Sequence, residues 1–187
     1  MQITRCDPIF NPLLFAYFQE ACLTFLLGSS PWEVDEAMVE FGFDIGPFEV
    51  QDHIGIDAVF AHIRWSAIDY GDEPWALIPK RIFELGKLGK KAGAGWYRYP
   101  GNGGKVEDPI VADLALEEAH FAELERADYD AQEIQSRIIT SVDIAGARLL
   151  NSGFFGPDRN KPENLLRAFG FPVHQFCLLY TSPSPRD

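Results

Sequence analysis

The chain has 187 residues, a formal net charge of −12, and 47% hydrophobic against 24% charged residues. This is the composition of one globular domain or two small ones, and it excludes a disordered or fibrous chain. The acidic balance excludes a free-standing nucleic-acid binder, which needs a basic face to meet phosphates.

Residues 8–27 form the longest apolar run, and the run carries Asn11, Gln19 and Glu20. A span of about 20 residues through a membrane would not place Glu20 at that depth, so a buried helix is predicted and no membrane span. Pro12 suits the first helical turn, where its missing N–H costs nothing, and Asn11 before it suits an N-cap. Gly28 stops the helix. Ser30-Pro-Trp-Glu33 is a capping box with proline at the first helical position. Its helix runs to Phe41 and stops at Gly42. Residues 42–48 form a loop, and Pro47 can open a short helix. Asp57 is expected to cap a helix reaching about Tyr70. Another helix runs from about Pro74 to Leu85 and stops at Gly86.

Residues 87–99 differ in kind. Three glycines precede Trp-Tyr-Arg-Tyr, which suggests a turn and a short extended piece, and residues 100–105 form a flexible connector. An acidic helix follows from Pro109 to Arg126. Residues 101–130 hold nine acids against Lys105 and Arg126, the pattern of a solvated face or linker helix. Asp130-Ala-Gln-Glu133 is a second capping box, launching a long helix to about Asn151 that Gly153 caps. No segment sustains the period-2 alternation of a sheet, so the class is all-α.

Cys6, Cys22 and Cys177 show no paired or metal-type spacing, which fits a reducing, cytoplasmic setting better than a disulfide scaffold. No secretory signal pattern opens the chain. His53 and Asp57 lie at i, i+4 with His62 beyond, but no third ligand shares their side, so ordinary histidines are expected there. No nucleophile motif is present. The last eleven residues, 177–187, resemble translated sequencing-adapter DNA and are set aside from fold reasoning. With the abrupt start, that tail suggests an internal fragment of something larger.

A weak repeat links the two halves. A helix ending at Gly28 leads to a short helix and Phe41-Gly-Phe43. A helix ending at Gly153 leads to residues 163–168 and Phe169-Gly-Phe-Pro172. A duplication is the natural source. The expected division is a first helical domain at 9–100, an acidic linker helix at 101–129, an incomplete second copy at 130–176, and the tail at 177–187.

Asn11-Pro-Leu-Leu-Phe-Ala-Tyr-Phe-Gln-Glu-Ala21, Ser30-Pro-Trp-Glu-Val-Asp-Glu-Ala-Met38, Gly42-Phe-Asp-Ile-Gly-Pro-Phe-Glu49, Asp52-His-Ile-Gly-Ile-Asp57 and Gly89-Lys-Lys-Ala-Gly-Ala-Gly-Trp-Tyr97 occur in that order. Together they resemble the C-terminal helical region of 3-hydroxyacyl-CoA dehydrogenases, including the α-subunit type of the fatty-acid oxidation complex. The resemblance implies duplicated helical subdomains of the 6-phosphogluconate-dehydrogenase C-terminal-like type. It implies an upstream Rossmann domain that binds NAD and carries the catalytic His–Glu pair. It implies oxidation of (3S)-3-hydroxyacyl-CoA to 3-oxoacyl-CoA in β-oxidation, with an acyl-CoA substrate, homodimer contacts through the helical part, and no activity in this fragment alone.

Carried over residue by residue, Asn11 takes the place of the family's active-site Asn, and Ile45, Pro47 and Phe48 fall in its acyl-binding wall. Pro12 stands where the family usually has Arg. No strand leads into G-x-G-x-x-G and a helix, and Gly93 with Gly95 is a lone G-x-G outside that setting. Lys80, Arg81, Lys87, Lys90, Lys91 and Arg98 form a basic stretch that phosphates would suit, although a solvated surface or a contact with the NAD domain is the plainer expectation. Two other readings stand beside this one. Pro12 favours a non-enzymatic helical dimerisation module. The C-terminal domain of another β-hydroxyacid dehydrogenase is opposed by the 89–97 stretch and the duplication.

Overall fold

The computed structural model describes residues 12–66, 73–101 and 104–151. In chain order these are α1 (Pro12–Leu26), α2 (Pro31–Phe41), α3 (Pro47–Ile54), α4 (Ile56–Ser66), α5 (Pro74–Glu84), a 3-10 turn (Lys90–Ala92), β1 (Tyr97–Arg98), β2 (Val106–Glu107), α6 (Pro109–Phe121) and α7 (Ala131–Asn151). The fold is all-α apart from the hairpin of β1 and β2, which pair antiparallel with Tyr97 opposite Glu107.

Local chemistry explains the helix starts. The helices α1, α2, α3, α5 and α6 each open on proline, a residue whose fixed φ suits the first turn and whose absent N–H has no intrahelical partner to lose. Both expected capping boxes form. The Ser30 N–H donates to Glu33 Oε2 at 2.7 Å and the Glu33 N–H to Ser30 Oγ at 3.2 Å. Asp130 and Glu133 exchange the same pair at 2.9 and 2.8 Å.

Two boundaries differ from the expectation. Asp57 lies inside the first turn of α4 and does not cap it. Gly55, at φ 105°, turns the chain directly out of α3, and its carbonyl accepts the Ala58 and Val59 N–H groups. The Asp57 carboxylate is left to pair with Lys91. The acidic helix ends at Phe121, short of Arg126, because Glu123 adopts a left-handed φ of 53° that no helix continues through. The expected extension of α4 to Tyr70, the cap at Gly153 and the second Phe-Gly-Phe lie outside the described residues.

The helix α1 is apolar around most of its circumference and is buried accordingly. It packs against α2, α3, α5, α6 and α7. Leu13, Tyr17, Ala21, Phe25 and Leu26 are all but sealed from solvent. Ile134, Ile138 and Val142 of α7, one helical turn apart, join the same core, as do Val111, Leu114 and Ala115 of α6. The core is therefore continuous across residues 100 and 130. Among the described residues, no helix is long and apolar enough to cross a membrane.

The C-terminus of α1 is closed by a distant residue. Arg126 donates to the carbonyls of Leu26 at 2.7 Å and of Phe25 and Gly28 at 3.3 Å. The Ala127 N–H donates to Leu27 O at 2.7 Å. Phe25 O also accepts the Gly28 N–H at 3.3 Å; the last carbonyls of a helix lack the usual intrahelical donors, and a cation is favoured at this end of the dipole. The approach leaves no room for a side chain at Gly28, where φ is 145° and a Cβ would lie 1.9 Å from Ala127 O. Gly28→Ala is expected to lower the unfolding free energy by roughly 2 kcal/mol or more, through backbone strain and displacement of that strand of contacts. Urea denaturation checks this, and a loss below about 0.5 kcal/mol would mean that residues 126–127 move aside freely.

Candidate functional site

Two buried aspartates gather the segments around the loop at residues 42–48. Asp35, on α2, is 1% exposed. Its Oδ1 accepts the Phe48 N–H at 2.8 Å, and its Oδ2 accepts the Glu49 N–H at 3.1 Å, the Tyr97 hydroxyl at 2.8 Å and the Lys105 ammonium at 3.1 Å. Asp35 thus caps the N-terminus of α3 from another helix, where Gly46, the residue at the cap position, has no side chain to do so. Glycine is required there, since a Cβ on Gly46 would sit 2.3 Å from Asp35 atoms.

Asp52, on α3, holds β1 and the residues on either side of it. Its Oδ1 accepts the Trp96 N–H at 2.8 Å, and its Oδ2 accepts the Tyr97 N–H at 3.0 Å and the Tyr99 hydroxyl at 2.9 Å. A Cβ on Gly95 would lie 1.9 Å from Asp52 Oδ1. That close approach is the use of the second glycine in the G-x-G. Trp96, fully buried, donates its indole N–H to Gln51 Oε1 at 3.2 Å and sets its ring 4.4 Å from Phe48 and 5.6 Å from Phe25. Burial first, and the neighbouring carboxylates second, push the Tyr97 and Tyr99 phenols up, so both hydroxyls remain donors.

The residues expected to face substrate fall unevenly on this frame. Phe48 is 0% exposed, wedged against Phe25 and Trp96, and Pro47 is also buried. Ile45 is half-buried and keeps an open side. Asn11 lies outside the described residues, one position before α1.

Among the described residues the strands form only a two-residue antiparallel hairpin, with no parallel strand, glycine turn and helix to cradle a dinucleotide pyrophosphate. These residues therefore do not fit an NAD site, and no hydride step is assigned to them. The basic stretch is largely used within the chain: Arg81 pairs with Glu117 and Glu118, Lys87 with Asp108, and Lys91 with Asp57. His53 binds Glu49 O through Nδ1 and lies 3.2 Å from Lys90 Nζ through Nε2, and His62 meets the Phe15 ring edge-on at 5.2 Å. No group of three or more His, Cys, Asp or Glu among the described residues is placed to hold a metal. Cys22 is free and buried, and burial pushes its thiol up, away from nucleophilic use.

Sequence reasoning missed both aspartates. Their signal was faint but present. Asp35 interrupts the apolar side of α2 between Val34 and Met38, and Asp52 lies one helical turn after Phe48.

Burial pushes the Asp52 carboxyl up to about 6, against the pull of its donors. Its folded value lies above the unfolded one, so its stabilising contribution is complete below about pH 4 and is lost as pH rises to about 6. Asp52→Asn should therefore show a smaller fall in unfolding free energy between about pH 4 and 6.5 than the wild-type chain. Equal falls in paired guanidinium titrations would remove Asp52 as the source.

Residues 9–99 match the family model described as 3-hydroxyacyl-CoA dehydrogenase, C-terminal domain. The Homo sapiens peroxisomal bifunctional enzyme is 27% identical over 179 residues, covering 88% of this chain and 25% of the relative. The fatty acid oxidation complex subunit alpha of Shewanella baltica is 27% identical over 167 residues, with shares of 87% and 22%. A probable 3-hydroxyacyl-CoA dehydrogenase of Caenorhabditis elegans is 42% identical over 98 residues, with shares of 49% and 32%. The chain thus spans between 22% and 32% of the length of these relatives. The crystal structure of the dehydrogenase part of multifunctional enzyme 1 from C. elegans shares the fold, with a TM-score of 0.67 and 19% identity over 97% of this chain and 45% of that one. By its motif order and its family match, the stretch at residues 9–99 is a 3-hydroxyacyl-CoA dehydrogenase C-terminal domain.

Proposed function

We propose that the chain is the substrate-side and dimerisation part of an enzyme that oxidises (3S)-3-hydroxyacyl-CoA to 3-oxoacyl-CoA with NAD in fatty-acid β-oxidation. The observation that carries this reading is the family match over residues 9–99. The same stretch contains the loop that Asp35 and Asp52 brace.

In this reading NAD is held by an N-terminal Rossmann domain, which also supplies the catalytic His–Glu pair. Asn11 takes the role of the family's active-site Asn, whose carboxamide fixes the reacting oxygen by hydrogen bonding. Ile45 contributes the accessible part of the acyl wall. Pro47 and Phe48 give that wall its shape from behind, because their own surfaces are taken up by the core. Residues 130–176 correspond to a second copy of the repeat, reached through the segment at 101–129, and copies of the chain pair as a homodimer. The reducing, cytoplasmic setting expected from the cysteines belongs to the same reading. The vertebrate relatives carry a peroxisomal name. Pro12, in place of the family's usual Arg, favours the second reading, a helical module without activity.

Mixed with acetoacetyl-CoA and NADH, the 187-residue chain should leave NADH unoxidised. Turnover by the chain alone would overturn the placement of the NAD site outside it. Joined in frame to the Rossmann domain of a relative, the chain should give an active enzyme, and Asn11→Ala should lower its kcat by roughly tenfold or more. An unchanged kcat would leave Asn11 only its capping role.

A further inference from the structure

Lys105 occupies a setting that its sequence position does not announce. It follows the glycine-rich residues 100–104 and directly precedes β2. Its ammonium lies 2.8 Å from Glu49 Oε2 and 3.1 Å from Asp35 Oδ2. It also sits 4.4 Å from the centre of the Tyr97 ring and 5.2 Å from that of Trp32. Two carboxylates and two ring faces enclose one cation, and its side chain is 18% exposed. Ring faces attract any cation at these distances. Carboxylate oxygens within hydrogen-bond reach select a cation that carries N–H donors.

The walls come from α2, α3 and β1, and none belongs to the connector that delivers Lys105. Gly104, next to it, has open space where a Cβ would be. Asp35 and Glu49 are also the residues that fix the start of α3, Asp35 by accepting the Phe48 and Glu49 N–H groups. Without a cation between them, two carboxylates in a half-dry setting repel each other across that start.

We propose that Trp32, Tyr97, Asp35 and Glu49 form a primary-ammonium site that Lys105 fills from within the chain, and that this plug is a latch setting the position of residues 45–49. The latch stands on the geometry. Its consequence for acyl binding rests on the function proposed above.

Lys105→Ala in the full chain leaves the four walls in place. Amide exchange at Phe48 and Glu49 should then quicken by roughly tenfold or more. Ethylammonium chloride at millimolar levels should restore slow exchange saturably and shift the Trp32 fluorescence. Tetramethylammonium and sodium at equal ionic strength should do neither. Unchanged exchange, or equal action of the three salts, would overturn the site. Should the variant not fold, acetylation of the wild-type chain followed by mass spectrometry gives the second reading. Lys105 should react far more slowly than the exposed Lys80, and equal rates would overturn the plug. An intact latch together with an Ile45→Ala change that leaves KM unaltered in the joined enzyme would instead count against the acyl wall alone.

Discussion

The architecture depends on buried carboxylates that collect backbone donors from distant parts of the chain. Asp35 reaches 13 residues forward to the Phe48 amide, and Asp52 reaches 44 residues forward to that of Trp96. Hydrogen bonds to a charged group contribute about 1.5–3 kcal/mol each, so the several made by each carboxylate offset part of a burial cost of several kcal/mol. Removing the donors while keeping the charge would leave that cost uncompensated. The donors are mostly backbone N–H groups, which makes the interaction a constraint on chain path. It fixes where α3 starts and where β1 runs, and it ties those two places to one another through Tyr97.

Around this polar frame the apolar core settles. Phe25, Phe48 and Trp96 come from α1, α3 and the stretch before β1, and they meet with ring centres 4.4 to 5.9 Å apart. The helix α1 forms the axis because most of its circumference is apolar, and α7 covers it with residues one turn apart. Arg126 completes the arrangement by taking the last carbonyls of α1, at the point where the acidic helix has already ended. The strongly negative charge of residues 101–130 is thereby only partly a solvated face. Asp108, Glu117 and Glu118 are partners of Lys87 and Arg81.

The same frame bears on function through the loop at 42–48. A loop that must present an apolar side chain to a substrate needs its backbone polar groups satisfied elsewhere. Asp35 supplies that for the loop's end, and Phe48 supplies the packing. Ile45 is then left with an accessible side on a backbone that has little freedom. In the function proposed above, this is the arrangement that an acyl wall requires.

Much was legible in the sequence. Proline at helix starts, glycine at helix ends and the two Ser/Asp-x-x-Glu boxes act within four residues of themselves, so their effect does not depend on the rest of the fold. They determined the helix order, the all-α class and the ordered motifs that mark the family. The stop of the acidic helix before Glu123 and the start of α4 one residue before Asp57 are local backbone turns that the residue pattern did not reveal. The roles of Asp35, Asp52, Arg126 and Lys105 were decided by the tertiary structure, through bonds between groups 13 to 101 residues apart in the chain. Spacing along the chain encodes what a residue does to its own turn. Which carboxylate meets which amide depends on where separate helices are brought together, and burial sets the strength of that meeting.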